Sequence, residues 1–214
     1  MSERRDGGGF GALLRFTIPG YLGGVVLGAV LDRLGLEHSG VGQWLVRTLA
    51  GEGESLFEGA FAIRQRLRRA SASMAEAYGW GKAAGMAVPW AIDWASRTLG
   101  LNVDGVGGFY IPYFYALSDQ IGANVSGVLY LRRSEGSWAA AARAYARDPV
   151  MIASAVVIVT APLALLAARL LGFTPATQVR AALETIAANL CWVPPTVGAL
   201  AERRRGRAAR SEEG

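Results

Sequence analysis

Between Asp148 and Arg169 the chain carries no charge, and the stretch from Pro149 to Gly172 has only Ser154 and Thr160 as uncharged polar side chains. At about 1.5 Å of helical rise per residue, roughly 20 such residues cover a hydrocarbon core about 30 Å thick. The core helix of a water-soluble protein would show a polar stripe at a period of 3.6, and this stretch shows none. It predicts a membrane-spanning helix, and the rest of the sequence has to be compatible with that.

The composition is compatible. The chain has 214 residues, one domain's worth, with a positive mean hydropathy of +0.26. Charged residues make up 18%, below the soluble norm of about 25%, and they cluster between apolar stretches. The net charge of +5 does not argue for nucleic acid, because the arginines lie in short blocks beside hydrophobic segments, as topology determinants do. Lys82 is the only lysine. A GC-rich coding sequence accounts for that bias, and no function is read from it. With Cys191 as the only cysteine no intrachain disulfide can form, and with His38 as the only histidine a His-rich metal site is excluded. No cofactor or metal is expected. Arg4 and Arg5 precede an apolar run as in a signal peptide. That run is interrupted by Arg15 and Pro19 and lacks a small-x-small cleavage pattern, so it reads as a retained first span.

Six spans are expected within a transmembrane domain over 10–200. It follows an N-terminal segment, 1–9, and precedes a charged, disordered tail, 201–214. The first span runs from about Phe10 to Leu31. Gly20, Gly24 and Gly28 form a small-xxx-small series on one face of it, a glycine zipper that lets another helix come close. Val41 to Ile63 has two readings: a span whose face of Arg47, Gly51, Glu54 and Glu58 looks into the bundle, or an amphipathic helix in the interface. The third span is Ala75 to Ala95, with Trp90 and Trp94 at headgroup level, and the fourth is Gly105 to Leu131, opening on Tyr110, Tyr113 and Tyr115. Pro149 to Gly172 is the fifth and Gln178 to Leu200 the sixth.

Orientation follows from arginine. If Val41 to Ile63 spans, the N-terminus, residues 64–73, residues 132–148 and the C-terminal tail share one side, and all four carry arginines. The opposite loops hold little beyond Arg33 and Arg97. The chain thus reads as an all-α, polytopic integral membrane bundle of six transmembrane helices with both termini cytoplasmic. Comparison of residues 10–96 with 106–200 reveals no repeat.

Catalytic signatures are missing: there is no His-Glu-x-x-His, no Gly-x-Ser-x-Gly and no paired-cysteine motif. Gly79-Trp-Gly81-Lys82 departs from a phosphate loop at Glu76 and Ala83 and reads as helix packing, and the sequon at Asn124 lies inside a span. What remains are polar groups at membrane depth. Asp119, Gln120 and Asn124 in the fourth span and Glu184 and Asn189 in the sixth are expected to line a polar path, together with Glu54 and Glu58. Asp93 reads as interfacial. A purely structural role is the competing account, with Arg47 pairing Glu54 or Glu58 and Lys82 on the same face as Asp93. Three functions are compatible: transport or conduction of a small polar solute or ion; a non-catalytic membrane subunit or scaffold, binding partner subunits or its own copies through Gly20, Gly24 and Gly28; and a membrane-embedded lipid-modifying enzyme. A non-enzymatic role is favoured. The bilayer is the one partner common to all three, and nucleic acid is not expected.

Overall fold

The computed structural model describes residues 9–35, 40–68, 72–100, 111–171 and 190–212. Among them are seven α-helices and no strand: α1 (Phe10–Arg33), α2 (Gly40–Leu67), α3 (Met74–Leu99), α4 (Ile111–Glu135), α5 (Trp138–Tyr145), α6 (Pro149–Leu170) and α7 (Val193–Glu212). A single 3-10 turn, Leu190–Trp192, leads into α7.

Several helices begin where a side chain satisfies the first free N–H groups. Asp148 Oδ1 accepts from the Val150 and Met151 amides at 2.9 and 3.0 Å, and Pro149 takes the first helical position, where no N–H is needed. Ser73 accepts from the Glu76 amide at 3.1 Å to start α3, and Ser137 accepts from the Ala140 amide at 3.2 Å to start α5. The left-handed φ of 75° at Gly136 lets the chain leave α4 and enter α5 with only Gly136 and Ser137 between them. The cap of α1 comes from the far end of the chain. Glu202 of α7 accepts from the Phe10 and Gly11 amides at 2.8 and 2.9 Å, so a carboxylate sits on the positive end of the helix dipole.

Neighbouring long helices run antiparallel and approach closely through glycine. A Cβ on Gly53 of α2 would lie 2.6 Å from the Gly20 carbonyl oxygen and 2.8 Å from Gly24 Cα, so the α1 glycine face is occupied by α2 of the same chain. Gly28 is buried on that face too. On α3, Gly81 and Gly85 receive Gly122 of α4, where a Cβ would meet the Gly81 carbonyl oxygen and, at 2.8 Å, Gly85 Cα. Small residues at these crossings bring backbones together, as between helices in lipid.

One end of the bundle gathers Phe10, Leu13, Phe61, Ala75, Tyr78, Val150 and Ala199 in a buried cluster with Ala123. Beside it, Leu131, Ala141 and Met151 form a second cluster that seats α5. The described arginine blocks all adjoin this end: Arg64, Arg66 and Arg68 closing α2, Arg132 and Arg133 closing α4, and Arg203, Arg204 and Arg205 in α7. Two of them lie over rings, Arg64 at 5.8 Å from the Phe16 centroid and Arg132 at 5.5 Å from that of Trp138.

Burial is inverted relative to a soluble protein. Ile18, Leu22, Val25 and Val26 on α1, Val125 and Leu129 on α4, and Ile152, Val156 and Val159 on α6 are exposed, whereas Glu54, Glu58, Lys82 and Asp119 are buried. Among the described residues, one helix is both long and apolar enough to cross a membrane, over Phe10–Leu31, with a shorter apolar stretch at Pro149–Thr160.

Two expectations are corrected. The sixth segment, Gln178 to Leu200, is not one continuous helix: the 3-10 turn at Leu190–Trp192 precedes a fresh start at Val193. Pro194 and Pro195 have no N–H to give and fit only a first turn. The tail expected to be disordered continues α7 as helix to Glu212, because alanine, arginine and glutamate favour helix and Glu202 ties the segment to α1. The reading of Val41 to Ile63 as a helix with its acidic face turned inward matches α2, whose Glu54 and Glu58 are buried. Residues Tyr110, Glu184 and Asn189, and the side chains of Arg47, Trp90, Asp93, Trp94, Tyr113 and Tyr115, lie outside the described residues.

The glycine crossings give a direct test by substitution. Gly122→Ala places a methyl group against the backbone of α3 and should sharply lower the yield of monodisperse protein in size-exclusion chromatography. Gly23→Ala, with nothing within 4 Å of the new Cβ, should leave the elution profile unchanged.

Candidate functional site

Four helices meet around one ammonium group. Lys82 of α3 is fully buried, at 0% exposure, and its Nζ lies 2.6 Å from Asp119 Oδ2 of α4. The same nitrogen is 3.6 Å from Glu54 Oε1 and 4.0 Å from Glu58 Oε2, one turn apart on α2. Their i, i+4 spacing puts both carboxylates on the face that α3 covers. Gly79 and Gly85 flank Lys82 on α3, and through them the helix backbone lies against Glu58 and against Ser118–Asp119 respectively. The small residues are thus what lets a lysine and three carboxylates share one layer.

The remaining capacity of these groups is mostly filled. Ser55 donates to Asp119 Oδ2 at 2.6 Å, and the Gln120 amide donates to Asp119 Oδ1 at 2.5 Å. Thr17 of α1 donates to Glu58 Oε1 at 2.5 Å. Glu58 Oε2 has no hydrogen-bond partner although it is buried. It faces Lys82 from beyond hydrogen-bonding distance.

From this layer a polar track runs along α4 and α6 towards the arginine-bearing end. Tyr78 donates to Gln120 Oε1 at 2.8 Å, and Gln120 Nε2 donates to Ser154 Oγ at 2.6 Å. Asn124 Nδ2 lies 3.1 Å from both Ser154 Oγ and the Tyr145 hydroxyl at the end of α5. Glu58, Lys82, Asp119, Gln120 and Ser154 are buried, while Asn124 and Tyr145 are half-buried. The track therefore leads outward from the ionic layer.

Of the residues expected to line a polar path, Glu54, Glu58, Asp119 and Gln120 come together here, and Asn124 extends the track one turn further. Glu184 and Asn189 lie outside the described residues. The side chains of Arg47 and Asp93, the partners expected for the glutamates and for Lys82, lie outside the described residues. Lys82 meets Asp119, Glu54 and Glu58, the two glutamates for which Arg47 was the expected partner. The sequence reading left out Thr17, Ser55, Tyr78 and, as the central cation, Lys82. Two signals pointed to the site: the only lysine among 22 basic residues lies in a stretch expected to span, and Ser154 is one of two uncharged polar side chains in the most apolar stretch.

Chemically, the layer is a buried site in which, among the described residues, three carboxylates face one ammonium. Among the described residues no group of three ligating side chains could hold a metal ion. The ammonium occupies the position on which the carboxylates converge. Comparison with known proteins returns no match to a family model, a curated protein or a solved structure.

Removing one member of a buried ionic set leaves its partners uncompensated, at a cost of about 3–5 kcal/mol. Lys82→Met should lower the unfolding temperature in detergent by an amount consistent with that loss. Adding Asp119→Asn to Lys82→Met should recover part of it, so the double variant is more stable than the sum of the two single changes implies.

Proposed function

We propose that the chain is a multi-pass integral membrane protein that moves a small polar solute or ion through the layer around Lys82. The observation that carries this reading is the inverted polarity: Val26 is 64% and Val156 56% exposed, while Lys82 and Glu58 are at 0%. Water would penalise such an exterior, and a bilayer would not. Five helices of 22 to 28 residues, α1, α2, α3, α4 and α6, have the length to cross about 30 Å of hydrocarbon. The charges that make α2, α3 and α4 less apolar than a simple span include Glu54, Glu58, Lys82 and Asp119, which are turned inward. Intramembrane ionisable groups facing a bundle interior are the usual mark of a solute or ion route.

The arginine distribution supports the orientation, with the end holding Phe10, the α2 C-terminus and α7 on the cytoplasmic side. The chain leaves α6 at the opposite end and resumes at Leu190, next to a helix that packs on Phe10.

The scaffold alternative relied on Gly20, Gly24 and Gly28 as a surface for a partner. Gly20 and Gly24 pack on Gly53 and its neighbours within the chain, so Gly24→Leu would break the fold itself rather than an assembly.

Reconstitution into liposomes, with charge movement recorded as ions and small polar solutes are added singly, tests the transport reading. The wild type should give a signal for at least one solute. Asp119→Asn should abolish it while the variant stays folded, because Glu54 and Glu58 still face Lys82. A wild-type signal untouched by Asp119→Asn would place the route elsewhere.

A further inference from the structure

Among the described residues, the charges of the ionic layer do not balance. Among the described residues, three carboxylates, Glu54, Glu58 and Asp119, share one basic group within 4.0 Å, the Lys82 ammonium. Fully ionised, the set would carry a charge of about −2 in a place without access to water, a state that proteins avoid by neutralising the group. The geometry shows where the compensation is needed. Asp119 Oδ2 has both the ammonium and the Ser55 hydroxyl at 2.6 Å, so its charge is met. Glu58 Oε2 is buried, has no hydrogen-bond partner and stands at the longest of the three distances from the ammonium.

A divalent metal does not fit this position, since the ammonium already holds the point on which the carboxylates converge. A proton does fit, because it needs one oxygen and no coordination shell. We propose that Glu58 carries an exchangeable proton on Oε2, and that its uptake and release are coupled to solute movement by a shift of Lys82 between Asp119 and Glu58. The proposal rests on the transport reading above for the coupling, though not for the proton itself.

With that proton in place the described set carries a charge of about −1, Glu54 and Asp119 against Lys82, and only its release brings the set to −2. With Glu58 protonated, Lys82 pairs with Asp119 as observed. When the proton leaves to water, Glu58 becomes an anion and attracts the ammonium, which loosens its contact with Asp119 and leaves Ser55 there as donor. Reprotonation from the other side restores the first arrangement, so one proton crosses per cycle and nothing else is consumed. The groups that face Glu58 from the packed helices set this balance: Thr17 from α1, Lys82 from α3, Glu54 from its own helix and Asp119 from α4. Gln120, Ser154, Asn124 and Tyr145 provide a polar connection from the layer to the arginine-bearing end.

Two measurements on the full-length protein test this together. Infrared absorption of the purified wild type at neutral pH should show the carbonyl stretch of a protonated carboxyl group. Glu58→Gln should remove it, and the exposed control Glu135→Gln should not. In vesicles with a trapped pH dye and a potassium diffusion potential, the wild type should acidify or alkalinise the lumen with the sign of the potential. Glu58→Gln should fall to the leak of empty vesicles. Absence of the protonated-carboxyl band from the wild type overturns the proposal whether or not the variant folds. Sodium or solute flux that continues unchanged in Glu58→Gln, with no proton movement, also overturns it and leaves the transport reading standing. If the band is present and lost in Glu58→Gln but the wild type moves nothing, the proton site is upheld while its coupling and the transport reading fall.

Discussion

Everything else in this structure has to accommodate the burial of Lys82. An ammonium at 0% exposure needs carboxylates around it, and Asp119 supplies the nearest at 2.6 Å, with Glu54 and Glu58 at 3.6 and 4.0 Å. That contact fixes the register of α3 against α4, and the longer approaches to Glu54 and Glu58 fix α2 against both. Thr17 then ties α1 to Glu58, and the Gln120–Ser154 bond ties α6 to α4. A slip of one residue in α2, α3 or α4 would take a charged side chain out of the layer, and a slip in α1 or α6 would remove a hydroxyl partner from it.

The glycines make that layer reachable. A lysine and three carboxylates could be spread across wide helix spacings and hydrated; here Gly53, Gly79, Gly81, Gly85 and Gly122 draw the backbones together and leave no room for that. Close packing and ionic burial therefore reinforce each other. The exterior follows as a consequence, because side chains that are not needed inside are free to be Leu, Val and Ile, and on α1, α4 and α6 many are. The proposed bilayer setting explains in one step why the charges lie inside and the hydrocarbon outside.

Much of the helical architecture could be read from the sequence. Apolar runs between arginine-bearing segments marked α1, α3 and α6 to within a few residues, because mean hydropathy over such a length is a local property; the expected start of α4 lies outside the described residues. The site was only half visible. Asp119, Gln120 and Asn124 announce themselves as polar residues in an apolar context, whereas Thr17, Ser55 and Tyr78 are ordinary in a membrane helix and gain meaning only from what lies opposite. Lys82 was passed over as the centre of the site for a different reason: its scarcity was put down to codon usage, and it was considered beside Asp93 on its own helix. Which carboxylate it meets depends on helix register, which glycine packing sets in three dimensions. The C-terminal helix was misread because its charge suggested solvation, while the anchor that holds it, Glu202 on the α1 N-terminus, spans almost the whole chain.

The central claim is that the apolar exterior faces lipid while the ionic layer stays inside. Nitroxide labels at Val26, Val125 and Val156, one at a time in reconstituted protein, measure this directly through collision rates with oxygen and with a water-soluble nickel chelate. The account predicts high oxygen and low nickel accessibility at all three positions. High nickel accessibility at these sites would mean that the apolar faces meet water, and the account of a charged interior within a membrane bundle would be wrong.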